Sequence, residues 1–222
     1  MPPDTQHRSH PLRPVLEQVH PASCPNELNF HCHTIYSDGS LRPEQLGAEA
    51  LRLGLQHLAV TDHHSTAAYQ PLQAWFEQRR RDGQSVPTLW SSIEISCLLE
   101  GCLVHVLGLG FQVGDPALAP YMGGEAAVGA ALQASEVLQR LHGAGGLALL
   151  AHPGRYRLPF QRLLTAAASL GFDGAEAYYD YSMQGSWTPT PVVCDAIAAQ
   201  ITAHGLLRSC GTDTHGLELC GR

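Results

Sequence analysis

From about residue 27 onward the 222-residue chain alternates short strand-like runs with helical patterns, and this rhythm confines it to a layered α/β architecture. The runs cover 28–33, 57–62, 88–94, 103–111, 146–152, 173–178 and 206–212. Helical spacing of Leu46, Ala50 and Leu53 follows Pro43, a good first-turn residue. Further helices are expected over 67–81, 125–142, 160–170 and 191–204, with Gly54, Gly171 and Gly205 placed as left-handed caps. The link at Glu100-Gly101 is short enough for a hairpin. Seven strands with interleaved helices predict an α/β barrel, incomplete or distorted, with chemistry at the C-terminal strand ends. An open doubly wound sheet is the alternative, but it brings six strand ends to one point poorly.

Those strand ends carry an unusual series. His31-Cys32-His33 leads into Ser37-Asp38-Gly39, then come Thr61-Asp62-His63-His64, Glu94, His105, Ala151-His152-Pro153 and Gly211-Thr212-Asp213-Thr214-His215. Alternate strand residues share a face, so His31 and His33 point together and Cys32 points away. Two imidazoles on one face make half a site for zinc, iron or manganese. Singly, several histidines read otherwise. His57, His142 and His204 lie away from acidic sequence neighbours and suit packing or surface, and His105 alone is balanced between core and ligand.

Composition removes other chemistries. All thirteen basic residues are arginine, which excludes a lysine Schiff base, a Walker A loop and a carbamylated-lysine metal bridge. The net charge is −7, and Arg79-Arg80-Arg81 reads as a solvated helix end. Stable binding to duplex nucleic acid is therefore not expected, while a short nucleotide substrate stays open. Seven cysteines without a C-x-x-C pair suggest reduced thiols and a cytoplasmic protein. No apolar run reaches the roughly 20 residues of a membrane span. Residues 1–26, rich in Pro and His, read as a flexible N-terminal extension, with His7, His10 and His20 as surface histidines.

The ordered series resembles the PHP (polymerase and histidinol phosphatase) superfamily, in its small bacterial metal-dependent phosphoesterase branch. The likeness runs from about Leu28 to Gly216, within a domain over 27–222. It implies a distorted, TIM-like, seven-stranded (β/α) barrel with three divalent ions (zinc, iron or manganese). His31, His33, Glu94 and Asp213 would hold one ion; Glu94 would bridge to a second with His105 and His152; Asp38, His63 and His215 would hold the third. Asp62 would orient a ligand. The implied reaction is phosphoester hydrolysis of a small phosphorylated metabolite, nucleotide or short oligonucleotide, with His63, His152, Arg155 and His215 as catalytic candidates. Arg155 and His64 are candidate substrate contacts, and Arg157 is a weaker one. Glu176 is read as supporting the fold or a ligand, and Tyr178 and Tyr179 as stacking a base or packing.

Two departures stand out. Only about forty residues separate His105 from His152, where this branch carries a long helical insertion, and His64 stands where many relatives have an acidic residue. Histidinol phosphatase and a non-catalytic metal-binding module are the other readings. An amidohydrolase-type enzyme also begins with H-x-H, but its commonest binuclear form uses the lysine missing here.

Overall fold

Two sheets form from the strand-like runs. In the computed structural model, which describes residues 9–183 and 185–221, β1 (Leu28–Asn29), β2 (His57–Ala59) and β3 (Thr88–Trp90) make a parallel sheet. The second sheet runs β4 (Ser92–Leu99), β5 (Cys102–Leu109), β6 (Leu147–Leu150), β7 (Gly174–Tyr178) and β8 (Leu207–Cys210), antiparallel at first and parallel from β6 onward.

The ladders therefore do not make one continuous seven-stranded barrel. The run over 88–94 divides at Ser91 into β3 and β4. There Ser91 Oγ donates to the Phe111 carbonyl and Ser92 Oγ to the Val60 carbonyl, so side chains take over where the ladder stops. The β4–β5 hairpin turns at Glu100-Gly101, as expected. Both residues have positive φ, 53° and 67°, the twist a two-residue hairpin needs.

The sheets meet along two seams, and the seams position the histidines. Beyond β1, Phe30 N–H donates to the Cys210 carbonyl (3.1 Å), Asp213 N–H to that of His31 (2.7 Å) and His33 N–H to that of Thr214 (3.1 Å). On the other side, Thr61 N–H donates to Cys32, Glu94 N–H to Asp62 and His64 N–H to Glu94. Continuations of β1, β2 and β8 and the start of β4 are thus locked side by side.

Helices α1 (Arg13–Glu17), α2 (Pro43–Leu53), α3 (Tyr69–Arg81), α4 (Ala134–Gly143), α5 (Phe160–Leu170) and α6 (Pro191–Ala203) cover the sheets. Gly54 and Gly171 close α2 and α5 in the left-handed conformation. The helix expected over 125–142 starts only at Ala134, because Gly124 and Gly129 sit at φ 80° and 64° and interrupt it. A small core of Leu41, Leu46, Leu58, Leu72 and Phe76 lies beside β2; the larger core joins β4–β8 to the helices.

The described part of the expected flexible extension is packed. Leu12, Leu16 and Val19 are buried in the larger core, and Arg13 pairs with Asp173 at 3.5 Å. His10 is buried rather than on the surface: Nε2 faces the Gly110 carbonyl at 3.0 Å and Nδ1 accepts from Leu12 N–H. His20 is exposed, and His7 lies outside the described residues. His57 accepts from the Trp90 indole and His204 meets Thr165, while His142 does have an acidic partner, Asp173, at 2.8 Å.

Leu16→Ala is expected to lower unfolding free energy by roughly 2–4 kcal/mol, since it empties a buried site. Urea denaturation measures this; an unchanged midpoint would mean that the segment contributes nothing to the core.

Candidate metal centre

Five histidines of the series, His31, His33, His63, His105 and His152, reach one carboxylate. Glu94 is buried on β4, and its Oε2 lies 3.0 Å from His31 Nε2, 3.1 Å from His33 Nε2 and 3.5 Å from His63 Nδ1. Its Oε1 lies 2.8 Å from His105 Nδ1 and 3.4 Å from His152 Nε2. Asp213 Oδ1 adds a second carboxylate, 3.2 Å from His31 Nε2 and 3.1 Å from His33 Nε2. Asp38 faces His33 Nδ1 at 3.5 Å, His215 Nε2 at 3.3 Å and His63 Nε2 at 3.8 Å.

The donor atoms fall into three overlapping groups, each within 4.8 Å: His31, His33, Glu94, Asp213; His33, Asp38, His63, His215; and His63, Glu94, His105. The third contains His63 where the sequence reading had His152. His152 remains beside it, through its contact with Glu94. Imidazoles and carboxylates in this mixture fit divalent cations of the zinc, iron or manganese kind. Glu94 Oε1 and His105 Nδ1 support the fit: they are 2.8 Å apart yet buried without hydrogen-bond geometry, as two donors aimed at a shared point would be. A cavity of about 720 Å³ lies away from this cluster, against Leu99, Gln133, Arg162 and Leu170.

Charge is strongly redistributed here. Burial works to lower the pKa of His31, but Glu176, Glu94 and Asp213 raise it well above the ordinary value. His33 is likewise opposed by burial, yet its bonds to Asp213 and Glu94 push it up to about 9. Burial brings His63 down to about 4. Burial also disfavours ionised Glu94 and Asp213, but the imidazoles around them, His31 foremost, hold both well below the usual carboxylate range. Two imidazolium protons thus neutralise a buried anionic nest.

Other residues fix the ligand candidates. Glu176 Oε1 is 3.0 Å from His31 Nδ1, and its Oε2 accepts from His152 N–H at 2.7 Å. With Nδ1–H given to Glu176, His31 keeps Nε2 for the cluster, where a lone pair becomes available once the second proton leaves. Asp62 accepts from Thr34 N–H, Thr34 Oγ1 and Ser37 Oγ, and Ser37 Oγ stands 3.5 Å from His33 Nδ1, so Asp62 holds the loop after His33 and reaches its ring through Ser37. Tyr179 is buried and donates to Asp213 Oδ2, onto which Arg155 also donates at 3.0 Å. This Tyr179 role was missed: only its place just past a strand end hinted at it. Tyr178 is buried too, so of the two expected alternatives both tyrosines pack rather than stack a base. His64 is buried and its Nε2 accepts from Ser96 N–H, so it faces β4 and not an incoming substrate. Arg157 reaches the Gly101 carbonyl at the hairpin turn. Cys32 points away, with Sγ toward the Ala59 carbonyl.

Glycine permits the closest approaches. A Cβ on Gly211 would stand 2.3 Å from both Cβ and N of His31, and one on Gly39 would stand 2.5 Å from the His33 carbonyl carbon. The H-x-H segment is clasped between these two backbones.

A family model described as PHP domain matches residues 29–139, half of the chain. The Escherichia coli 5'-3' exoribonuclease Rnm is 34% identical over 94 residues, which are 42% of this chain and 31% of that protein. The chain thus aligns with about a third of the length of the first curated relatives it matches. A 3',5'-nucleoside bisphosphate phosphatase from Chromobacterium violaceum is 26% identical over 267 residues, covering 88% of this chain and 89% of that one. Among solved structures, an amidohydrolase from the same organism, with bound sulfate and no metal, shares the fold with a TM-score of 0.69 and 21% identity over 86% of this chain and 88% of its own.

Gly211→Ala is expected to destabilise the fold by about 1–3 kcal/mol and to weaken metal binding, because the new methyl must displace the His31 backbone. Thermal melts with and without Mn²⁺ read both effects, and a variant matching wild type in each would contradict the close approach. A second expectation follows from His33, which keeps its proton up to about pH 9 in stripped protein. Loading must expel that proton, so apparent Mn²⁺ affinity should rise from pH 6 towards 9. Calorimetry in buffers of different ionisation heat should show proton release at pH 7; none would contradict the assignment.

Proposed function

Because the chain belongs to the PHP domain family, we propose that it is a metal-dependent phosphoesterase acting on a nucleotide, a short oligonucleotide or another small phosphorylated metabolite. The observation that carries this reading is Glu94, a buried carboxylate within 3.5 Å of imidazoles from His31, His33, His63, His105 and His152. We read the two sheets, stitched along their seams, as a distorted barrel wall, with residues 27–222 as its domain.

Three ions are proposed. His31, His33, Glu94 and Asp213 hold one; Glu94, His105 and His152 hold a second, with His63 near by; Asp38, His63 and His215 hold the third. When bound, zinc, iron or manganese there would acidify water and polarise phosphate oxygens. The chain's own residues supply the geometry. Glu176 keeps His31 in one tautomer, and Tyr179 ties the outer oxygen of Asp213 so that Oδ1 stays with His31 and His33. Arg155, already at Asp213, is the cation placed to fork onto a phosphate oxygen at the edge of the cluster. His63 is neutral at physiological pH, since burial keeps its pKa near 4, and so has a lone pair to offer. The free state of all seven thiols suits the reducing cytoplasm we assign, and no described helix is long and apolar enough to cross a membrane.

Purified protein loaded with Mn²⁺, Zn²⁺ or Fe²⁺ should release phosphate or nucleoside monophosphate from a panel of phosphomonoesters and diesters. Glu94→Gln should lower kcat/KM by more than the ~100-fold that outer partners of metal ligands cost, and should lose bound metal. Folded, metal-replete wild-type protein that is inert across the whole panel would sink the proposal.

A further inference from the structure

The cluster is buried on one side and open on the other. Side-chain exposure is 0% at His31 and His33, 1% at Glu94 and 4% at Asp213, but 38% at His215 and 56% at Asp38. Asp38 and His215 are the most exposed of the ligand candidates, ahead of His105 at 29% and His63 at 23%, so a phosphate ester meets them first and its organic group stays outside on that side. Two loops form this mouth. Residues 34–37 make a turn closed by Ser37 N–H to the Thr34 carbonyl, and the chain around Thr214 and His215 lies against them through His33 N–H to the Thr214 carbonyl and the 3.3 Å contact of His215 with Asp38.

These loops expose apolar side chains at the entrance: Ile35, Tyr36 and Leu217, each within three residues of a ligand candidate. Among the large apolar side chains exposed in the described residues, Tyr36 is the aromatic one. Neither its ring nor its hydroxyl has a side-chain hydrogen bond or ring contact among the described residues, and only its backbone N–H is engaged, by Thr34 Oγ1. An exposed apolar cluster that rims a polar site marks a surface used for binding. An uncommitted tyrosine offers an amphipathic face on which a flat base can stack. Charge offers the organic group little grip: the chain carries −7 and no lysine, and Arg155 is the cation already assigned to the phosphate.

We infer that Tyr36, with Ile35 next to it in the chain and Leu217 on the facing loop, forms a shelf for a nucleobase, so that the substrates are phosphate esters bearing an aromatic base next to the scissile group. This rests on the phosphoesterase reading and narrows its substrate class to nucleotides and oligonucleotide ends. Tyr36 selects the substrate and takes no part in bond breaking.

The test uses the full metal-loaded chain and pairs each nucleotide or oligonucleotide substrate of the panel with its abasic counterpart, in which hydrogen replaces the base. Wild-type protein should favour the base-bearing member about tenfold in kcat/KM, within the range of one base–aromatic stack. In Tyr36→Ala the ratio should fall towards one through a higher KM for the base-bearing member, and Tyr36→Phe, which keeps the ring, should retain it. Turnover with a wild-type ratio near one, or a ratio that Tyr36→Ala does not move, overturns the shelf while leaving the phosphoesterase reading intact. Absence of turnover on every panel member removes that reading, and the shelf with it.

Discussion

Moving an ionised carboxylate out of water costs roughly several kcal/mol even after the surrounding protein relaxes, and a lone one would protonate instead. Glu94 is 1% exposed, yet its pKa is held far below the ordinary value. The offset comes from rings contributed by continuations of β1 and β2, by β5 and by the end of β6, and these rings must also balance Asp213, a second carboxylate from beyond β8. No two adjacent strands can supply all of these. The chain must bring both sheets round one point, so the electrostatics of a single side chain sets a condition that the whole topology meets.

Hydrogen bonding at the seams shows how that condition is met. Regular ladders would carry β1 and β8 along one another, but past Phe30 and Cys210 the pairing thins to single bonds and bridges. Sparse pairing frees the side chains of His31, His33 and Asp213 to turn inward while the backbone amides stay satisfied. It also draws the strands close enough that only glycine fits at 211. The packed segment over 9–26 bears on the same region from outside, since α1 lies against β8 and Leu12 and Leu16 fill the core beneath it.

Much of this was legible in the sequence because it is local. The alternation that pairs His31 with His33 and turns Cys32 away needs no tertiary information, nor do the left-handed glycines after α2 and α5 or the hairpin at Glu100-Gly101. What escaped is long-range or masked by composition. Leu12, Leu16 and Val19 have helical spacing, but the prolines and histidines around them read as an extension. Tyr179 acts on Asp213, 34 residues away, and nothing near either residue announces the pairing. His142 and Asp173 find each other across 31 residues in the same way. The break at Ser91 was invisible because serine is compatible with a strand, and only the competing acceptor at Phe111 shows why the ladder ends there. His64 looked available for substrate because sequence adjacency to His63 says nothing about which wall a ring faces.

Backbone conformation carries the last part of the logic. His64, His152 and Asp213 all have positive φ, at 50°, 24° and 51°, a region that costs a residue with a side chain on the order of 1–3 kcal/mol. All three lie where a strand's extended backbone gives way to a loop, and a strand that simply continued would send successive side chains to opposite faces. A left-handed residue breaks that alternation. It lets His152 reach Glu94 while its amide binds Glu176. The strain stays in place because each of these residues is tied through its amide or its side chain to a buried partner: His64 to Glu94, His152 to Glu176, and Asp213 to His31 and Tyr179. Stability is thus spent at three strand ends to turn side chains that a continuing strand would aim elsewhere, and the leucine-rich core around β4–β8 offsets that cost.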